Sequence, residues 1–291
     1  NCTITGVSIM TLYNGRLSAI DGIGQVGSWQ ITETTEEDKS INSATKGGTD
    51  RTFGTKDTTG SISCEGTLPP MLPGEIFTFS GYISSTDGTV GGDGMIFEVE
   101  SMCTQLQVVW DYDANKIVRY TAQFGGMGAF TITSGTAIVD ASTNCKVKAS
   151  TCTMVYGSGP TPLAPTRTTV TLTMTNAVTV RSDASTAGWK TRESGTLDWN
   201  LAVVVNGGNP AHAIGAYIEN LKLKVNGTDY FWFEDAIFGQ VTDVTVAPGT
   251  ETIVTHTLNL HMAAAGADCA VGFIRTPGDA VNNFWPSPDA P

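Results

Sequence analysis

The sequence predicts an all-β protein, in which one β-module occurs twice in tandem. Three observations predict it. Residues 95–124 recur, much degraded, 136 positions later as residues 231–260. Over thirty ungapped positions there are six identities: Phe97-Glu98 falls on Phe233-Glu234, Val108 on Val244, Ile117-Val118 on Ile253-Val254 and Thr121 on Thr257. The apolar pattern runs in phase between the copies, and internal repetition of this kind defines the unit of folding. Thr, Ser and Val are abundant beside 33 Gly and 12 Pro, a composition of strands joined by tight turns. Finally, the apolar runs mostly alternate with polar residues, the period of a strand.

Taken in order, residues 3–12 and 16–23 read as an opening pair of strands around Tyr13-Asn14-Gly15, because Asn-Gly favours a hairpin turn. A strand over 26–32 follows. Residues 33–59 are polar, Gly- and Thr-rich and read as a loop; about 25 residues without periodicity is long for a compact domain and usually marks function or disorder. An alternating strand resumes at 60–66, and 69–79 holds a short helical turn. Runs at 95–99, 105–110 and 116–124 make up the repeat unit, and a further strand covers 129–133. Residues 156–165 (YGSGPTPLAP) read as a linker, since Gly and Pro break both regular structures.

The second module opens with strands at 168–174 and 178–181. A shorter polar loop, 182–195, takes the place of the long one, and 197–205 is a strong strand. Residues 210–219 are the best helix candidate, with Asn209 able to cap and Pro210 suited to the first helical position. Residues 276–291 are rich in Pro, Asp and Asn and read as an arm that a partner orders. The expected organisation is a first module over 1–155, a linker over 156–166, a second module over 167–275 and the arm over 276–291.

Charge narrows the function. The net charge is −12, from 9 basic and 16 acidic residues in 1–155 and 7 basic and 12 acidic residues in 156–291. Both halves are acidic, which argues against ordinary nucleic-acid binding, where basic side chains replace phosphate counterions. No apolar run approaches the roughly 18–20 residues of a membrane-spanning helix, so no membrane association is expected. The six cysteines are scattered without a CxxC, so a structural zinc site is not expected. Cys145 and Cys152 could face each other across a hairpin or remain free thiols.

Catalytic signatures are missing. Asp111-Tyr-Asp113-Ala-Asn115 imitates an EF-hand loop, but Lys116 replaces the Gly and Ala122 the Glu, so a hairpin turn is expected. His256 and His261, five apart on a strand, point to opposite faces. No GxSxG, HExxH or phosphate-binding loop occurs. Glu98 and Glu100 share a strand face, as a glycosidase pair would, or simply lie on a solvated or inter-subunit face. Glu36-Glu37-Asp38 is a charge run in the long loop, and Asn226-Gly-Thr228 fits a glycan acceptor. Trp29, Trp189 and Trp199 flank the two polar loops, a placement that suits either core or subunit interface.

Two passages resemble the major tail tube proteins of long-tailed bacteriophages. Residues 178–203, VTVRSDASTAGWKTRESGTLDWNLAV, are similar to the family segment in which a strand leads to a Ser/Asp-rich loop, a Gly-Trp-Lys unit, a Gly turn and an Asp/Glu-Trp strand. Here these are residues 182–185, Gly188-Trp189-Lys190, Gly195 and Asp198-Trp199. Residues 95–130 are similar to the family's closing pattern of two strands, a turn and an alternating strand ending in a Gly-containing turn.

The resemblance implies a β-sandwich or small barrel with one flanking helix per module. It implies a non-enzymatic structural subunit without cofactor, located in the virion tail and assembled in the host bacterial cytoplasm. Sheets of neighbouring subunits join edge to edge into an inner barrel, and a long polar loop reaches the next ring. The inter-ring candidates are then Glu33, Glu36, Glu37, Asp38, Arg51, Asp183, Trp189, Lys190 and Arg192, with Trp29 and Trp199 as interface aromatics. Partners are further copies of the chain, other tail proteins, and double-stranded DNA that passes through the lumen without specific binding. Family members commonly carry one module and form hexamers; two modules suggest a trimer with pseudo-sixfold symmetry, whereas a second module serving as outer decoration returns a hexamer. A DNA conduit is expected to have a net negative inner face. The rival readings are a capsid decoration protein, a carbohydrate-binding β-sandwich and, last, a glycosidase using Glu98 and Glu100.

Overall fold

The computed structural model of the chain describes residues 13–20, 26–40, 49–65, 71–85, 93–136, 147–159, 161–164, 166–182, 188–206, 213–225, 230–241, 255–262, 271–274 and 282–283. The first part of the chain runs β1 (Tyr13–Ile20), β2 (Val26–Ser40), β3 (Asp50–Glu65), β4 (Ile76–Ser85), β5 (Asp93–Asp111), β6 (Arg119–Gly126) and β7 (Thr131–Thr136). It continues with β8 (Met154–Tyr156), β9 (Thr161–Pro162), β10 (Arg167–Asn176), β11 (Thr179–Arg181), β12 (Thr191–Glu193) and β13 (Leu197–Asn206). The last strands are β14 (Tyr217–Lys224), β15 (Tyr230–Val241), β16 (Thr255–Met262), β17 (Val271–Ile274) and β18 (Asn282–Asn283). Among the described residues, 16 strands pair into one sheet, while β11 and β12 form a separate hairpin. The all-β expectation holds.

These segments are strands because their side chains alternate between two environments. In β10 Val170, Leu172 and Met174 are fully buried, with threonines between them. In β13 Leu197, Trp199, Leu201, Val203 and Val205 are buried, and in β6 Tyr120, Ala122 and Phe124. A period of two puts each set on one face of a pleated strand, and burying each such side chain contributes roughly 1.5–3 kcal/mol.

The sheet turns back on itself at β5. The first half of β5 lies between β4 and β7, the second between β6 and β10. A bulge between Cys103 and Gln105 marks the change-over, and bulges bend the strand that carries them. Ring contacts demonstrate the fold-over. Trp29 of β2 is in register, through Ile62 and Ala122, with Leu106 of β5. A flat sheet would hold Trp29 and Phe97 about 30 Å apart, yet their rings are 5.8 Å apart. Trp29 also meets Phe79 at 5.5 Å, and Phe79 stacks on Phe124 at 4.8 Å.

β15 makes the same turn. Tyr230–Phe233 lies between β14 and β17, and from Ala236 onward the strand pairs with β16, with a bulge between Phe238 and Gln240. Gly239 sits in that bulge, where a Cβ would fall 2.3 Å from the His261 ring, so no larger residue fits without displacing the imidazole. The two parts of the sheet join where Thr169–Thr175 of β10 pair with Gln105–Asp111 of β5. Arg167 caps this junction: its guanidinium lies 4.4 Å from the Tyr112 ring and donates to the carbonyls of Leu163 at 3.2 Å and Cys152 at 3.4 Å.

Several expectations are corrected. Asn14-Gly15 lies inside β1, not in a turn; the register with β4 shifts between Tyr13 and Ser18, so the dipeptide is absorbed as an irregularity. Residues 33–40 and 50–59 are not loop but continue β2 and β3 as a ribbon. The helix expected over 210–219 is absent from its described part: residues 213–216 turn and Tyr217–Lys224 is a strand. There the burial of Ile218, Leu221 and Leu223, with the inward face shifted at the left-handed Asn220, outweighs the capping signals upstream. Phe77 and Phe79, within the expected helical turn at 69–79, belong to β4. Among the described residues the only helical element is a 3₁₀ turn at Ala149–Thr151, so the flanking helices are not found there.

Residues 156–159 and 161–164 do not run free, since β8 pairs with β14 and β9 and Leu163 is fully buried. The Asp111 turn is as expected: its carboxylate accepts the Ala114 N–H at 3.0 Å and pairs with Lys116 at 2.9 Å. Cys152 is a buried free thiol, while Cys145 and Asn226-Gly-Thr228 lie outside the described residues. Most of 276–291 lies outside them as well; Asn282 and Asn283 pair with β17.

Candidate functional site

The most elaborated polar structure is the ribbon formed by the far halves of β2 and β3. It forms because a Thr-rich sequence suits a strand even without a core to cover, and its side chains are largely exposed. Arg51 meets Glu37 at 2.5 Å, and Lys39 reaches the same carboxylate at 3.2 Å. Asp38 stands opposite Thr52 and is exposed. Glu33 accepts the Phe130 N–H at 2.9 Å, tying the ribbon's base to the segment before β7. Phe53 is 64% exposed on β3, an apolar side chain on an otherwise polar ribbon.

The β11–β12 hairpin docks on this ribbon. The Lys56 N–H donates to Gly188 O at 2.8 Å and the Lys190 N–H to Lys56 O at 2.9 Å, so the segment around Trp189 runs beside β3 as a short parallel strand. The Lys56 ammonium lies 5.4 Å from the Trp189 ring. Arg192 is only 6% exposed. Its guanidinium donates to Gly126 O and to the Asp57 carboxylate, the latter at 2.5 Å. Lys190 joins Asp57 at 3.8 Å and Glu36 at 3.3 Å. The nearby Thr55 hydroxyl, followed by the Lys190 ammonium, holds the Glu36 carboxyl below the usual range. Gly125 makes room for this pin, since a Cβ there would lie 1.9 Å from Arg192 Nε.

The residues proposed from sequence therefore separate. Glu36, Lys190, Arg192 and Trp189 converge with Asp57, which sequence reading missed; Glu37 and Arg51 pair further out on the ribbon; Asp183 lies outside the described residues. Trp199 is 1% exposed and packs on Phe233 at 4.2 Å, so it is core and not interface. Trp29 is half-buried on β2, the last strand of the sheet path. Nothing in sequence marked Asp57 or Gly125, because their partner Arg192 lies 135 and 67 positions away respectively.

A second surface is the face of the sheet opposite the core. Reading across strands in register, one row is Ser28, Ser63, Thr121, Gln107, Thr173, Asn200 and His261. The next is Glu65, Arg119, Val109, Thr171, Ala202 and Asn259. A third is Gln30, Ser61, Gln123, Gln105, Thr175 and Asp198. Hydroxyls and amides dominate. Arg119 is paired with Glu65 at 2.9 Å, and Asp198 adds a further carboxylate. Seven strands thus share one wide polar wall of low charge.

Glu98 and Glu100 are exposed on β5, and Glu98 accepts the Ser80 hydroxyl at 3.2 Å. Among the described residues no group of three or more His, Cys, Asp or Glu is placed to hold a metal, and no helix is long and apolar enough to cross a membrane. No family model matches the chain. No curated protein matches it either.

Proposed function

We propose that this chain is a structural, non-enzymatic subunit that closes into rings, and that the rings stack into a tail tube of the long-tailed phage type through which double-stranded DNA passes. One observation carries the reading: the same scheme of strand pairing occurs twice. In the first part β2, β3, β6 and β5 are successive neighbours, β4 and β7 flank the early half of β5, and β1 lies on β4. In the second part β10, β13, β16 and β15 are successive neighbours, β14 and β17 flank the early half of β15, and β8 lies on β14. Each scheme has its bulge where the fifth strand changes partners. The schemes match strand for strand in chain order, supporting a duplicated module within the continuous sheet.

Duplication favours three chains in a ring with pseudo-sixfold symmetry. The polar wall supports a lumenal role, because a surface of hydroxyls and amides with few cations gives phosphate little to bind. In such a ring the lumen is net negative and other tail proteins meet the terminal rings. A sugar-binding reading needs neighbouring open aromatic faces, but Trp110 and Trp199 are buried, Trp189 lies against Lys56, and the exposed Phe53 and Tyr217 stand on separate strands, β3 and β14, that do not pair with each other. Light scattering of the purified chain tests the reading: particles containing three chains or multiples of three are expected, and a lone monomer at every concentration and salt would remove it.

A further inference from the structure

We infer that Arg51 of one copy docks on Asp198 of a second copy, repeating between chains the ion pair that Arg192 and Asp57 make within one. The inference rests on the ring reading above and names a contact between neighbours in that ring.

The motif Arg51-x-x-Gly54-Thr55-x-Asp57 recurs 141 positions later as Arg192-x-x-Gly195-Thr196-x-Asp198. The strand pairing recurs with it at the same spacing. Asp38, Lys39 and Ser40 pair with Thr52, Arg51 and Asp50; Thr179, Val180 and Arg181 pair with Glu193, Arg192 and Thr191. Thr34 lies opposite Asp57 as Thr175 lies opposite Asp198. Gly54 faces Glu36 as Gly195 faces Ala177. The β11–β12 hairpin is thus the second part's short counterpart of the ribbon.

Within one chain the two motifs meet asymmetrically. Arg192 of the second donates to Asp57 of the first, and the reverse pair, Arg51 with Asp198, is not made. Asp198 is exposed and stands in no salt bridge among the described residues. Arg51 is exposed as well and shares the Glu37 carboxylate with Lys39. An exposed pair of that kind contributes little, and Glu37 keeps Lys39 when Arg51 turns away. Each chain therefore carries one half of the contact on either motif, as a head-to-tail ring requires: it gives Arg51 to one neighbour and Asp198 to the other.

Two differences weaken the contact between copies. Gly125, which makes room for Arg192, corresponds to His261 in the repeat, and Glu36, which takes Lys190, corresponds to Ala177. The pair between chains is accordingly more open to solvent than the one within, and salt screens it more.

Charge reversal tests the pairing. Arg51→Asp alone and Asp198→Arg alone should each raise the concentration for half-assembly about tenfold, because each sets like charges against each other. The two changes together should restore assembly. In an assembled Arg51→Cys/Asp198→Cys chain, a short bismaleimide should give dimers and closed trimers on a denaturing gel, with neither species from the single variants. Single reversals that assemble like the unaltered chain, or a double reversal that recovers nothing, overturn this contact; so do rings that yield no cross-links. In each of those cases the ring reading stands. Unaltered chains that never assemble overturn both.

Discussion

Arg192 is the residue on which the ribbon's attachment depends. Replacing it with Ala leaves the largely shielded Asp57 carboxylate without its guanidinium and Gly126 O without its donor. Losing one partner of a buried ion pair costs about 3 kcal/mol, to be read from the urea midpoint. Gly125→Ala should cost about 1–3 kcal/mol by overpacking. In the Arg192→Ala background it should cost little, because the group its Cβ strikes is gone. A coupling of roughly 1 kcal/mol or more in the double-mutant cycle is expected; strict additivity would show that Gly125 serves some other purpose. The thiols give a pH prediction. Burial pushes Cys103 up to about 12 and Cys152 up to about 11, from an ordinary value of 9.0. The unfolded chain ionises these thiols first, so their contribution to stability is intact below pH 9 and is lost as pH rises through the folded values. Native protein at pH 8.5 should resist iodoacetamide at both positions and react at both in guanidinium.

At the scale of elements, what was legible followed from burial. β10, β13 and β6 announce themselves because every second residue enters the core. The ribbon does not, since Glu33–Ser40 and Asp50–Thr59 pair with each other and cover almost nothing; without a buried face there is no hydrophobic period to read. The misread helix has the opposite cause: capping residues gave a local signal, and Ile218, Leu221 and Leu223 found a core that no local signal reports. The docking of β11–β12 was hidden because it depends on Lys56, Asp57 and Gly125, far away in sequence. Trp189→Ala should remove the aromatic face from Lys56, a loss of about 0.5–1 kcal/mol at an exposed site. Hydrogen exchange should then quicken at the Lys56 and Lys190 amides and leave β10 unchanged. Equal quickening in β10 would mean that hairpin and core open as one unit.

For the whole molecule, the duplication proposed from six identities gains support from the strand pairing, in which two sets of seven strands follow one order of neighbours. Alignment could not reveal it in full, because β2 and β10, with Trp29 set on Val170, share alternation but only Thr32/Thr173 and Thr34/Thr175 over residues 28–34, too short a match to stand out in a Thr-rich chain. Nor could it reveal that β5 and β10 join the two parts into one sheet, since that junction depends on which edges are left open. The polar wall predicts behaviour toward DNA: assembled particles should retain double-stranded DNA weakly on a filter at low salt, and Gln107→Lys with Thr173→Lys should raise retention with a steeper salt dependence. Retention by the unaltered particle as strong as by the variant would exclude the wall as a conduit lining. The most direct test of the account is electron microscopy of the purified chain under assembly conditions. Stacked rings with a central hole, three chains to a ring and six similar lobes around it, are the predicted result; dispersed monomers, or rings of six whole chains, would contradict it.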